Sequence, residues 1–360
     1  LITRKKALAM ALAGLFLLPL SGCTNDSAMP EAGKPGAAKI EVPSRPTRES
    51  EPMGALKFGD HEAKIYTFKG SGDTILVGSD RTFSATPEAL YYTRDNPGET
   101  PRDYVLFRQE YKGEALVGEP QPLDHLGKHN TWFQTSGNTV FYQVNESPLT
   151  KLSWYDGKSV QHGEQLGDNS GKSVSKIDFV IARESNDAYY LSSVLDKETK
   201  IRHNIVYHST FADGKLSEGE KLFEQSDHPE FEGTFRVRFA DKDRLIVSAE
   251  KKKEDKGSPI ITFYEIDKQG NILGTYDDGD NTAFSCATLT TNYFIRVDSR
   301  KKGQVFRIFD RSNGQLIAEV PVYDGSADAP KLMVKCLWTV TGNDVIAYDE
   351  GQKKLYRIDF

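Results

Sequence analysis

The chain has 360 residues, 38% of them apolar and 27% charged, and a formal net charge of −6 at pH 7. This is a globular composition, long enough for two ordinary domains or one long all-β domain, and it excludes collagen-like and fully disordered classes. The acidic balance argues against nucleic acid or an anionic headgroup layer as a direct partner.

At the N-terminus, Arg4, Lys5 and Lys6 precede an apolar run from Ala7 to Leu20, broken only by small residues and Pro19. A basic segment followed by an apolar one of this length reads as a secretory signal, too short for a stable membrane span. The run ends in Leu20-Ser21-Gly22-Cys23, which resembles the lipobox of bacterial lipoproteins. That resemblance implies cleavage before Cys23, a diacylated cysteine there with palmitate-type chains, and membrane attachment through lipid. Cleavage would also remove three cations and no acid, taking the formal charge from −6 to −9. In enteric members of the family an aspartate after the cysteine marks inner-membrane retention. Thr24 stands there instead, so the resemblance points to the outer membrane, periplasmic side.

Residues 1–22 are thus expected to be a signal peptide and 23–55 a lipidated cysteine with a flexible tether. The tether is rich in proline, alanine, glycine and mixed charge, and cannot bury enough apolar surface to offset its chain entropy. A β domain is expected over 56–360.

Within that domain a period of two dominates. In Ile260–Tyr276, the side chains of Ile260, Thr262, Tyr264 and Ile266 point one way and those of Ile261, Phe263 and Glu265 the other. Asp267 to Gly270 then reverse the chain, which makes a β-hairpin. Similar hairpins recur around Phe107, Trp154, Tyr207, Phe306 and Tyr356, and with Phe263 in sequence the steps are 47, 53, 56, 43 and 50 residues. Two further short strands precede each hairpin, so each unit reads as four antiparallel strands in a period near 50. That is the signature of a β-propeller blade. Six units are counted, and the last, Leu332 to Phe360, lacks a fourth strand. Two spare strands, Lys64–Gly70 and Asp73–Ser79, precede the first unit. If one of them completes the last unit the ring has six blades closed by an N-terminal strand; if both form a composite blade, seven. We expect six. In this form the chain resembles the broad set of six-bladed bacterial propellers, the TolB-like and NHL-like groups, as architecture only.

Chemistry has to be sought in what interrupts the repeat. Cys286 and Cys336 lie on first strands of consecutive units and are a candidate disulfide, with two separate buried thiols as the alternative. Phe235 to Phe239 alternate, which would put Arg236 and Arg238 on one face of a first strand; Lys176, Asp178 and Lys335 occupy comparable strands. First strands line a propeller's channel, so these five residues are candidates for a partly basic channel holding an anion or a partner's carboxylate. Asp277, Asp278 and Asp280 form a weak hard-cation candidate, without EF-hand spacing and more simply a turn. His125 and His129 fall in a loop, and His203 and His208 on opposite faces of a strand, so neither pair reads as a metal site. The G-x-S-x-G, P-loop, G-x-G-x-x-G and H-E-x-x-H motifs are absent, and no cofactor is expected. Two function classes follow. One is an envelope module that binds a protein or polysaccharide, such as an inhibitor or assembly factor of a periplasmic protein. The other is a propeller hydrolase or lyase with a polar site in the channel.

Overall fold

A computed structural model of the chain describes residues 51–69, 83–95, 104–127, 133–146, 149–168, 178–196, 198–199, 202–251, 259–277, 283–300, 303–323, 332–349 and 351–360. Cys23, the signal segment, most of the tether, Asp73–Ser79, His129, Lys176, Asp278 and Asp280 lie outside the described residues.

The first two strands, β1 (Gly54–Phe58) and β2 (His61–Thr67), belong to the last sheet. Blade 1 is β3 (Phe83–Ala85), β4 (Ala89–Asp95), β5 (Tyr104–Lys112) and β6 (Ala115–Gly127). Blade 2 is β7 (Phe133–Ser136), β8 (Thr139–Glu146), β9 (Leu149–Tyr155) and β10 (Val160–Asp168). Blade 3 is β11 (Asp178–Ile181), β12 (Asp187–Leu195) and β13 (Arg202–Ala212), with a fourth strand broken into β14 (Lys215–Leu216) and β15 (Glu220–Glu224). Blade 4 is β16 (Thr234–Ala240), β17 (Arg244–Lys251), β18 (Ile260–Asp267) and β19 (Ile272–Tyr276). Blade 5 is β20 (Ala283–Leu289), β21 (Tyr293–Arg300), β22 (Gly303–Asp310) and β23 (Leu316–Tyr323). Blade 6 is β24 (Val334–Thr341), β25 (Asp344–Asp349) and β26 (Lys354–Asp359), onto which β2 and then β1 add. All pairings between these strands are antiparallel.

The ring follows from where the two faces of each sheet are buried. Leu245 and Val247 of β17 pack with Val180, Tyr189 and Val206 of blade 3, whereas Ile246 packs with Leu289 and Phe294 of blade 5. The hairpin β18–β19 divides the same way: Tyr264 and Ile266 face blade 3, and Ile261 and Phe263 face blade 5. Its reversal is set by Asp267, whose carboxylate accepts from the amides of Gln269 and Asn271, and by Gly270 at φ 86°, a conformation that disfavours a side chain. Separate apolar clusters fill the interfaces of blades 1 with 2, 2 with 3, 3 with 4, 4 with 5, 5 with 6 and 6 with 1. Six blades of four antiparallel strands therefore close on themselves as a β-propeller.

Closure uses the N-terminal strand. In β2, Lys64, Ile65, Tyr66 and Thr67 pair with Asp359, Ile358, Arg357 and Tyr356 of β26, which supplies the fourth strand that blade 6 lacks. β1 adds a fifth, and Leu56 and Phe58 on it are buried against blades 5 and 6.

Buried charge crosses the interfaces at defined points. Glu265 of β18 points into the apolar seam between blades 4 and 5, only 1% exposed. Arg311, beyond β22, meets it there: Nη2 lies 2.5 Å from Glu265 Oε1 and 2.6 Å from Asp241 Oδ2, and Nη1 donates to Thr290 O at 2.6 Å. Arg244 Nη1 lies 3.2 Å from the same Glu265 oxygen, and the Tyr276 hydroxyl donates to the other. Burial raises the Tyr276 phenol, and the charge of Glu265 raises it further, so it stays a donor. Burial also pushes the Asp241 carboxyl up, but the charges and hydrogen bond of Arg311, together with Arg183, outweigh this and hold it below the usual carboxylate range.

Two outcomes are expected. Ile65→Ala, which empties a fully buried position on the closing strand, should cost about 2–4 kcal/mol, read as a lower urea midpoint at unchanged slope. Because the folded-state pKa of Asp241 is depressed, its contribution is complete above the unfolded value near pH 4 and vanishes as pH falls through the folded one. Asp241→Asn should therefore flatten the loss of stability between about pH 5 and pH 2 relative to wild type, as followed by urea titration at each pH.

Candidate functional site

The first strand of each blade sits on the axis: β24 touches β20 and β3, β3 touches β7, β7 touches β11, and β11 touches β16. Hydrogen bonds tie them around the ring. Thr135 Oγ1 donates to Ala85 O at 2.8 Å, Ser136 Oγ to Ala182 O at 2.5 Å, and the Thr288 and Thr339 hydroxyls are hydrogen-bonded to each other at 2.8 Å. Among the described residues blade 1 contributes the three residues of β3, and past it the indole Nε1 of Trp338 in blade 6 reaches Thr135 Oγ1 in blade 2 at 2.7 Å.

These strands enclose an axial cavity of about 300 Å³. Its walls include Val237, Phe263, Phe284, Leu289, Leu337 and Trp338, and its polar groups are Gln134, Thr135, Arg183, Arg238, Thr288 and Thr339, with Cys286. Among the described residues no carboxylate or histidine lines it. Where the chain leaves β11, Arg183 lines both this cavity and a polar groove of about 530 Å³ with Asp241, Arg244 and Arg311 in its wall. That groove lies on the face formed by the turns that leave the first strands.

The backbone of Arg183 is fixed from both sides, its amide donating to Ala240 O at 3.3 Å and its carbonyl accepting from Gly137 N at 2.9 Å. Its guanidinium, by contrast, makes no hydrogen bond and no ion pair within 4 Å to the described residues. Burial pushes it down to about 10; the nearby Asp241 charge favours the cation, Arg311 disfavours it, and Glu184 favours it again. It remains cationic at neutral pH. Gln134 is 6% exposed, and its Nε2 has no hydrogen-bond partner among the described residues.

Of the channel candidates read from the sequence, Arg238 lines the axial cavity, and Arg236, Asp178 and Lys335 do not. The reason is a β-bulge. Val237 pairs with Val247 and Phe239 with Ile246, which leaves Arg238 as the extra residue and breaks the alternation that would have grouped it with Arg236. Arg238 Nε donates to Ser248 Oγ at 2.7 Å. A bulge also falls at Lys335, between Val334 and Cys336. The candidate bridge between Cys286 and Cys336 is corrected: both are buried thiols. Cys286 packs in the seam of blades 5 and 6 and Cys336 in that of blades 6 and 1, so the side chains serve different interfaces. Asp277 is exposed beyond β19, and the described residues hold no cluster of three or more metal-ligating side chains. His203 Nδ1 lies 2.6 Å from Glu224 Oε1 and His208 Nε2 2.8 Å from Asp187 Oδ1, two separate carboxylates.

Arg183 and Gln134 were not singled out in the sequence. Arg183 sits in a turn, where a cation reads as solvated, and only its place directly after a first strand could have marked it.

No protein-family model matches the chain, and no curated protein matches it. Solved structures do. TolB from Acinetobacter baumannii is similar at 13% identity over 79% of this chain and 65% of that one, with a TM-score of 0.44, so the chain spans less than two thirds of that protein. The β-propeller domain of the Trilobed protease from Pyrococcus furiosus is similar at 11% identity over 81% of this chain and 95% of that one, TM-score 0.45. The WD40 domain of coronin from Toxoplasma gondii is similar at 8% identity over 86% of this chain and 88% of that one, TM-score 0.47.

Proposed function

We propose that the chain is a binding module of the cell envelope, held to a membrane by lipid on Cys23 and engaging a partner protein through the axial cavity and the groove beside it. The observation that carries the binding half is the cavity wall: apolar and aromatic surface with two guanidinium groups and hydroxyls, and no carboxylate or histidine among the described lining residues. Such a wall recognises and holds; proton transfer needs an acid and base at the same place. Of the acids close to the cavity, Asp241 is engaged by Arg311, while Glu184, Asp243 and Asp310 stand in the wall of the groove rather than in the cavity itself. The anchoring half rests on the basic segment, the apolar run and Leu20-Ser21-Gly22-Cys23.

Two measurements test this. Metabolic labelling with an acyl probe should mark the wild-type protein and not Cys23→Ser, which should move from the membrane to the soluble fraction; labelling of both proteins would refute the anchor. Affinity capture on the anchored protein should recover a stoichiometric partner that Arg238→Glu, checked for an unchanged melting curve, loses by about tenfold or more. A glycan recovered instead would replace the partner class, and turnover of a sugar or ester panel with nothing captured would overturn the module reading.

A further inference from the structure

We infer that the axial cavity is a receptor for a carboxylate carried at the end of an apolar stem, with Arg183 and Gln134 as its anchors. This rests on the reading of the cavity as a binding site and names the chemistry that it takes.

Two groups in the wall are unsatisfied in complementary ways. The half-buried guanidinium of Arg183 presents a planar fork of donors to the cavity with no hydrogen bond to the described residues, and Gln134 holds an amide donor that is buried and unpartnered. A buried donor left without an acceptor is destabilising, and native structures place one where an ion, a water or a ligand completes it. Both missing partners are acceptors. Arg238, whose Nε is already spent on Ser248, adds a second positive charge to the same wall.

The rest of the lining narrows the class. Two cations without a lining carboxylate disfavour a cationic ligand, and a neutral sugar would need acceptors that this wall hardly offers. Phe263, Phe284, Leu289, Leu337 and Trp338 present dry surface beside the donors, which a dianion such as phosphate would have to desolvate against at high cost. A monoanion suits one bidentate fork and one amide, and an aromatic or branched aliphatic stem suits the remaining wall. A volume of about 300 Å³ lies at the small end of ligand sites, so one ring or one branched chain fills it. The same chemistry can come from a free organic acid or from the C-terminal residue of a partner protein.

The test is isothermal titration of the full chain with N-acetyl-L-phenylalanine and with its amide, which differ only in the charged group. The acid should bind, and the amide about tenfold more weakly or less. Arg183→Met should weaken the acid by a similar factor with little effect on the amide. Gln134→Glu, which sets a like charge at the anchor, should abolish acid binding while circular dichroism and the melting curve stay those of wild type. Peptides with a free terminal phenylalanine separate the two sources: tighter binding than the capped amino acid assigns the site to a chain terminus, and no gain assigns it to a free acid. Equal affinity for acid and amide in the wild-type protein overturns the inference, whatever the variants do. A partner that is captured and is not released by excess N-acetyl-L-phenylalanine leaves the module reading standing and overturns this one.

Discussion

Pairing of β2 with β26 is the contact on which the rest of the structure depends. The strands of this chain are buried on both faces: β17 carries five buried residues in a row, alternately serving blade 3 and blade 5. A sheet of that kind is stable only with a neighbour on each side. In a line of six blades the two at the ends would each leave an apolar face in water. Four ladder positions between residues 64–67 and 356–359 bring those two ends together and cover both faces at once.

Charged pairs then fix how the blades sit against one another. Arg296 pairs with Asp298 in blade 5 and donates to Ile261 O in blade 4; Arg357 pairs with Asp344 in blade 6 and donates to Gly113 O in blade 1; Arg311 of blade 5 holds Asp241 and Glu265 of blade 4. Apolar packing alone tolerates a sliding adjustment. A guanidinium that crosses a seam does not, because a shift would leave it buried and unpaired, which costs more than the pair contributes. Against that background the guanidinium of Arg183 is the exception: it stands at the axis and finds no such partner among the described residues.

Most of the fold was legible because a period of two, interrupted by glycine turns, survives in sequence. The hairpin at residues 260–276 and the unit boundaries were readable from it, as was the missing fourth strand of the last unit. The site was less so. Alternation places Arg236 with Arg238, but a bulge is decided by how a strand meets the axis, and no residue type in Phe235 to Phe239 announces it. For Cys286 and Cys336 the sequence left a bridge and two separate thiols both open, because they occupy equivalent strands and equivalence of strand does not fix which interface a side chain serves. Arg183 and Gln134 belong to blades 3 and 2, and it is the packing of one blade on the next, which no local pattern records, that sets them in one wall.

Closure by β2 also sets the order in which the molecule can be built. Blades 1 to 5 are made of contacts local to each period, so their hairpins can form while the chain is still lengthening. Blade 6 cannot be completed that way, since Lys64 meets Asp359 across almost the whole domain. The search for that contact is the high-contact-order step and falls last. Until it succeeds, the open edges of β2 and β26 are both available to a neighbouring chain, so two unfinished rings could complete each other. Folding of a chain like this has to keep that interval short.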